Sequence, residues 1–142
     1  MANIIPFAFR GELLSGTHNF ANGGNSFKIA LYTSFAAYST GSTVYQTTNE
    51  VSSNNTGYTT AGKVLAGQAV VSTGAVATVD FTDSTLTSAT FTANSAAIYN
   101  DTNGDKLCVI LDFGGNKTAT NGTFTISFPN PSTPANAIIS MA

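Results

Sequence analysis

From residue 27 onward, apolar and polar positions along the chain alternate with a period of two. In FKIALYT, Phe27, Ile29 and Leu31 fall on one face of a strand and Lys28, Ala30 and Tyr32 on the other. In TFTISF, Phe124, Ile126 and Phe128 alternate with Thr123, Thr125 and Ser127. The stretches VATVDFTD and TSATFTANSAAIYN behave alike, which nominates Val79, Phe81, Phe91 and Tyr99 for the core. Threonine suits the outer positions because its β-branch fits a pleated surface. LCVILDF differs, being apolar on both faces, and so predicts a central strand covered on both sides. NAIISMA predicts a last short strand after the proline-rich breaker FPNPSTPAN.

Between these runs lie NFANGGNS, SSNNTG and GGNKTATNG, which read as connectors. Residues 34–57 are long for a connector and polar for a strand. They read as a loop excursion that carries Tyr38 and Tyr45 as exposed aromatic handles for a partner. Only NIIPFAFRGELLSG has helical spacing: Phe9 and Leu13 are four apart, Phe7 and Leu14 seven apart. Pro6 suits the first helical position and Gly16 the position just past the end, while Gly11 weakens the middle. Residues 1–16 are therefore read as an N-terminal arm or a short helix. The fold class that follows is all-β, an antiparallel β-sandwich or jelly-roll-like domain spanning residues 1–142.

Composition narrows the function. Charged residues are only 8% of the chain and the net charge is -2, with Thr, Ser and Asn supplying about a third of all residues. So few charges offer little repulsion against association, and much of the surface is expected to be covered in an assembly. Arg10, Lys28, Lys63, Lys106 and Lys117 are scattered, which argues against nucleic acid. No run approaches a membrane span. The N-terminus lacks the basic region and long apolar core of a signal peptide, so the chain is expected to be made and folded in a cytoplasm.

Candidate chemistry is sparse. Asp101, Asn103 and Asp105 have the spacing that opens a calcium loop, but Lys106 stands where glycine is needed and Asp112 where a glutamate should be. Asn103-Gly104 between two apolar runs instead predicts a hairpin with a two-residue type I′ turn, with a weak surface calcium site left open over Asp101–Asp105. Asp112-Phe113-Gly114 matches a kinase metal-binding corner in three letters, without the other kinase motifs or the length. The one histidine, His18, lies in a turn-like connector with no neighbouring carboxylate expected to orient it, so it reads as solvated. The one cysteine, Cys108, reads as a small core hydrophobe. Asp80 and Asp83 form an acidic pair, but no tryptophan accompanies them as a sugar platform. These residues imply no catalytic activity, cofactor or metal.

The order of landmarks resembles a family of small structural proteins of tailed bacteriophages. It is carried by IIPFAFRGELLSG, SFKIALYTS, NEV, TGYTTAGKVL, ATFTANSAAIYN, LDFG, KTA, GTFTISFP and the closing NAII. The resemblance implies a non-enzymatic virion protein: a capsid decoration, or cement, protein that binds the major capsid protein on the head surface, usually as a homotrimer. A tail- or fibre-associated module that binds a host-surface glycan or protein is the alternative. Ile4, Ile5, Phe7 and Phe9 are candidate capsid or subunit contacts, joined by Tyr38 and Tyr45. The same N-terminal residues could instead close one end of their own sandwich.

Overall fold

The computed structural model describes residues 3–142. A helix, α1 (Phe7–Leu14), is followed by β1 (Phe27–Tyr32), β2 (Lys63–Val64), β3 (Ala69–Thr73), β4 (Val76–Asp80), β5 (Ser84–Asn100), β6 (Lys106–Ile126) and β7 (Ile139–Met141). Two antiparallel sheets form, one in the order β2-β1-β5-β6 and the other in the order β3-β4-β7. This is the all-β sandwich with a short N-terminal helix that the alternation predicts.

The core has two compartments because β1, the last part of β5 (residues 95–100) and the first third of β6 are buried on both faces. Phe27, Ile29 and Leu31 pack between the sheets with Phe81, Val79 and Ile139. On the opposite face Ala30 and Tyr32 join Tyr99, Leu107 and Ile110, under a cover made by Phe35 and Tyr38. The two-faced character of LCVILDF is thus explained. The other face of β1, polar in appearance, is buried as well. Cys108 is the extra residue of a β-bulge: Ile98 pairs with Val109 and Tyr99 with Leu107. The bulge turns both Cys108 and Val109 toward the inter-sheet core.

Three expectations need correction. GGNKTATNG is not a connector: residues 117–126 are laddered to β5, so β6 runs without a break in the chain from Lys106 to Ile126. Its turn-like letters are used by irregularities instead, with Gly114 (φ 73) and Gly115 (φ 145) in the excursion of residues 113–116 and Asn121 (φ 46) in a second bulge. The β5–β6 turn is not a two-residue type I′ turn either. Asn100 pairs with Lys106, leaving five residues between them, of which Gly104 (φ 68) and Asp105 (φ 57) are left-handed. Asn100 causes the widening, because its Oδ1 accepts from the backbone N–H of both Thr102 and Asn103. Finally, Pro6 caps α1 one residue before its first turn, whereas Gly16 (φ 77) stands just past the end as expected.

The N-terminal segment is no free arm. Ile4 exchanges both backbone hydrogen bonds with Ile110, each 2.8 Å long, and so adds a bridge to the edge of β6. Phe9 is buried, and Ile5 and Leu13 pack against the same core.

Two glycines make opposite demands. At Gly62 (φ +83) a Cβ would lie 2.1 Å from the carbonyl oxygen of Ile29, inside the backbone of β1. Gly11 in α1 has open space around it. Gly62→Ala is expected to cost more than about 2 kcal/mol, since strain at a left-handed residue adds to a backbone clash. Gly11→Ala should gain about 0.5–1 kcal/mol. Urea unfolding midpoints of the two variants against the parent chain check both signs.

Candidate functional site

Two polar clusters lie inside this apolar frame. The first is built around Asn100, fully buried at the end of β5. Its Nδ2 donates to His18 Nδ1 (3.1 Å) and Asn25 Oδ1 (3.0 Å), and lies 3.3 Å from the carbonyl of Thr17. The two backbone N–H groups on Oδ1 determine which end of the amide is which. His18 Nδ1 must then accept, so the imidazole carries its proton on Nε2 and donates it to Glu12 Oε2 at 2.9 Å. Lys106 Nζ reaches the other oxygen of Glu12 at 3.2 Å.

His18 is therefore buried and oriented, contrary to the solvated reading. Its carboxylate partner stands six residues upstream on α1, brought back by the turn at Gly16. The sulfur of Cys108 lies 3.7 Å from His18 Nδ1, so thiol, imidazole and carboxylate are in the order used by cysteine nucleophiles. Two features oppose that chemistry. The proton-accepting nitrogen is already occupied by the Asn100 amide. The thiol is fully buried, and burial together with the charge of Glu12 pushes its pKa well up, away from the thiolate. The arrangement joins α1, the 17–25 connector and the β5–β6 turn to the sheet.

The second cluster gathers all five tyrosines beneath residues 33–62. Tyr32 Oη lies 2.6 Å from Tyr38 Oη and donates to the carbonyl of Gln46 at 2.7 Å. Glu50 accepts from Tyr45 Oη (2.7 Å), Tyr58 Oη (2.6 Å) and the N–H of Ala61 (2.8 Å). Tyr99 Oη donates to the Ala61 carbonyl, and its ring stacks on Tyr45 at 4.8 Å. Burial raises the pKa of every one of these phenols, so each stays protonated at neutral pH. Tyr38 and Tyr45 are thus not exposed handles: Tyr38 is buried and Tyr45 half-buried, both spent on fastening the excursion to the sheet.

Elsewhere the acidic residues are engaged or apart. Asp101 Oδ1 pairs with Lys28 Nζ at 3.1 Å, and the Asn103 amide turns to the Thr17 carbonyl, so the turn does not converge its oxygens on a centre. Among the described residues, no group of three or more His, Cys, Asp or Glu could hold a metal ion. Asp112 Oδ1 accepts from the N–H of Gly114, a local turn contact at the start of the excursion. Asp83 Oδ1 accepts from the N–H of Phe128. No helix among the described residues is long and apolar enough to cross a membrane.

Of the apolar contacts expected at the N-terminus, Phe9 is buried and Ile4 and Ile5 half-buried, leaving Phe7 exposed at 62%. Two further exposed apolar residues were not nominated as contacts from the sequence: Leu14 at 84% and Met141 at 51%. Leu14 and Met141 flank a groove of about 470 Å³ between α1 and β7, floored by Phe9, Leu13 and Ile139. No family model, curated protein or solved structure matches the chain.

The first cluster makes two predictions. Native Cys108 should not react with a thiol reagent such as dithionitrobenzoate until the chain unfolds; rapid stoichiometric labelling of the folded protein would show the sulfur to be reachable. Partial burial pushes the Glu12 carboxyl up, but hydrogen bonds from His18 and Lys106 and the lysine charge outweigh it, leaving its pKa below the ordinary 4.5. A carboxylate held low stabilises the fold above its unfolded pKa and loses that contribution as pH falls through the folded value. Glu12→Gln should therefore be less stable than the parent by about 1–2 kcal/mol at neutral pH, with the gap narrowing as pH falls below 4.5 and through the lowered folded value. Thermal melts of both proteins across that range test the sign.

Proposed function

We propose that this chain is a non-enzymatic structural protein of a tailed-phage virion, a decoration protein that binds the major capsid protein on the outside of the head. The observation that carries the reading is where the molecule spends its polar and apolar groups. Its one thiol–imidazole–carboxylate cluster is sealed inside and serves as a brace. Large apolar side chains stand in water, Phe7 on α1 and Leu14 and Met141 at the rim of a groove, on a chain with only 8% charged residues. A protein built to be held by shape against a preformed surface needs a rigid scaffold and an uncharged contact face. The resemblance carried by the strand and turn landmarks supplies the kind of surface. The N-terminal helix is then a docked element of the sandwich that presents Phe7 and Leu14, rather than an arm that leaves it.

Head shells stripped of this chain should take it up again at high copy number, visible by immunogold labelling of the particles. Burying two apolar side chains is worth about 2–4 kcal/mol, so Phe7→Ser/Leu14→Ser should weaken uptake by at least about tenfold while the fold persists. Label confined to a few copies at the tail would replace this reading with the tail-associated recognition module. Uptake unchanged in the double variant would remove the helix face from the contact.

A further inference from the structure

The outer edge of β6 is occupied for only part of its length. Ile4 bridges Ile110 and Val44 bridges Lys106, so the first third is covered. Residues 117–126 are laddered to β5 on their inner side, and among the described residues no strand or bridge lies on the outer side. The other sheet edges are short: β2 has two residues, β7 three and β3 five. A long open edge is a template for another backbone, and natural edges are usually guarded by charge or proline. Here Lys117 is the only charge between residues 113 and 126, and there is no proline.

The open stretch, KTATNGTFTI, has a pattern that says what fits it. Reversed about the Asn121–Gly122 bond, Thr118 falls on Thr125, Thr120 on Thr123, and small Ala119 on large Phe124. Lys117 falls on Ile126, so the charge never meets itself. A two-fold axis normal to the sheet also requires mirrored residues to share a face. In a regular strand positions 119 and 124, five apart, lie on opposite faces. The bulge at Asn121 removes the conflict: Ala119 and Phe124 are both buried, and Thr118, Thr120, Thr123 and Thr125 are all exposed. The threonines already pair across the hairpin, Thr92 with Thr118 at 2.8 Å between hydroxyls and Thr85 opposite Thr125. A second copy would extend each row from two threonines to four.

We propose that residues 117–126 form an isologous interface with a second copy of this chain, in which the two β6 edges pair antiparallel about Asn121–Gly122. The two regular flanks of the bulge, residues 117–120 and 123–126, pairing this way make about eight backbone hydrogen bonds, within the range of a typical protein–protein interface. The assembly is a dimer, where the family resemblance implies a trimer, and it stands independently of what the protein binds.

Sedimentation velocity and light scattering on the full chain at micromolar concentration should give a dimer mass, or an even multiple of the monomer. Positions 120 and 123 are exposed, and circular dichroism verifies the fold of variants there. T120K/T123K sets lysine against lysine twice and should weaken association at least tenfold; T120K/T123D sets lysine against aspartate and should retain it. Hydrogen exchange on the unmodified chain needs no variant: the outward-pointing amides of residues 117–126, those that do not bond β5, should be protected in concentrated and not in dilute samples. A monomer at all concentrations, equal behaviour of the two variants, or exchange independent of concentration would overturn the interface. A trimer would overturn the two-fold pairing and leave the virion reading standing, whereas a dimer that ignores head shells would do the reverse.

Discussion

Burial on both faces of β1, the last part of β5 and the first part of β6 is the constraint from which the rest of the molecule follows. Backbone groups there are satisfied by the ladders, and every polar side-chain atom that shares the region needs a partner inside, because an unpaired buried one costs about 1–3 kcal/mol. Tyrosine is a fitting residue for such a place: a large apolar ring with a hydroxyl that must be met. Meeting five hydroxyls requires acceptors in a fixed arrangement, and the excursion of residues 33–62 supplies them through Glu50, the Gln46 carbonyl and the Ala61 carbonyl. A segment with little regular structure is thereby held as firmly as a third layer. The same logic on the opposite face of β5 places Asn100, next in the chain to Tyr99, whose amide satisfies itself by ordering the connector before β1 and the turn after β5.

Legibility followed this division. Alternation alone located β1, β4, β5 and the last part of β6, because side-chain period is a local property. It also located the doubly covered strand, since five apolar residues in succession, Leu107 to Leu111, leave no polar face. It misread residues 114–122 because glycine and asparagine carry the same letters whether they close a turn or absorb a bulge, and only the partner strand decides. The short strands β2 and β3 had no signal to find: Lys63–Val64 pairs with β1 through geometry imposed by Gly62, not by pattern.

The candidate site was less legible, for a physical reason. His18 and Glu12 are six apart, a spacing that no helix or strand period brings together, and Cys108 and Asn100 arrive from the far end of the chain. Tyr38 and Tyr45 looked exposed because their neighbours are polar, yet those neighbours are what tyrosine hydroxyls need in order to be buried. One signal was available. An asparagine that ends a strand directly before a turn is placed to take the turn's backbone N–H groups, and Asn100 does so.

β6 changes character along its length, and this bears on what the molecule can do. Up to Leu111 it is apolar on both faces and its outer edge is taken by Ile4 and by residues 43–45. After the glycine excursion of residues 113–116 it continues with one face of threonine and one of Ala119, Phe124 and Ile126, and with its edge open. The first part can only hold the molecule together, since no partner can reach it. The second contributes less to the core and presents the backbone that the first conceals. An interior committed to its own stability and an edge and helix face left to water divide the chain by task, and the division falls at Gly114-Gly115, where left-handed geometry lets the strand leave one pattern and resume in another.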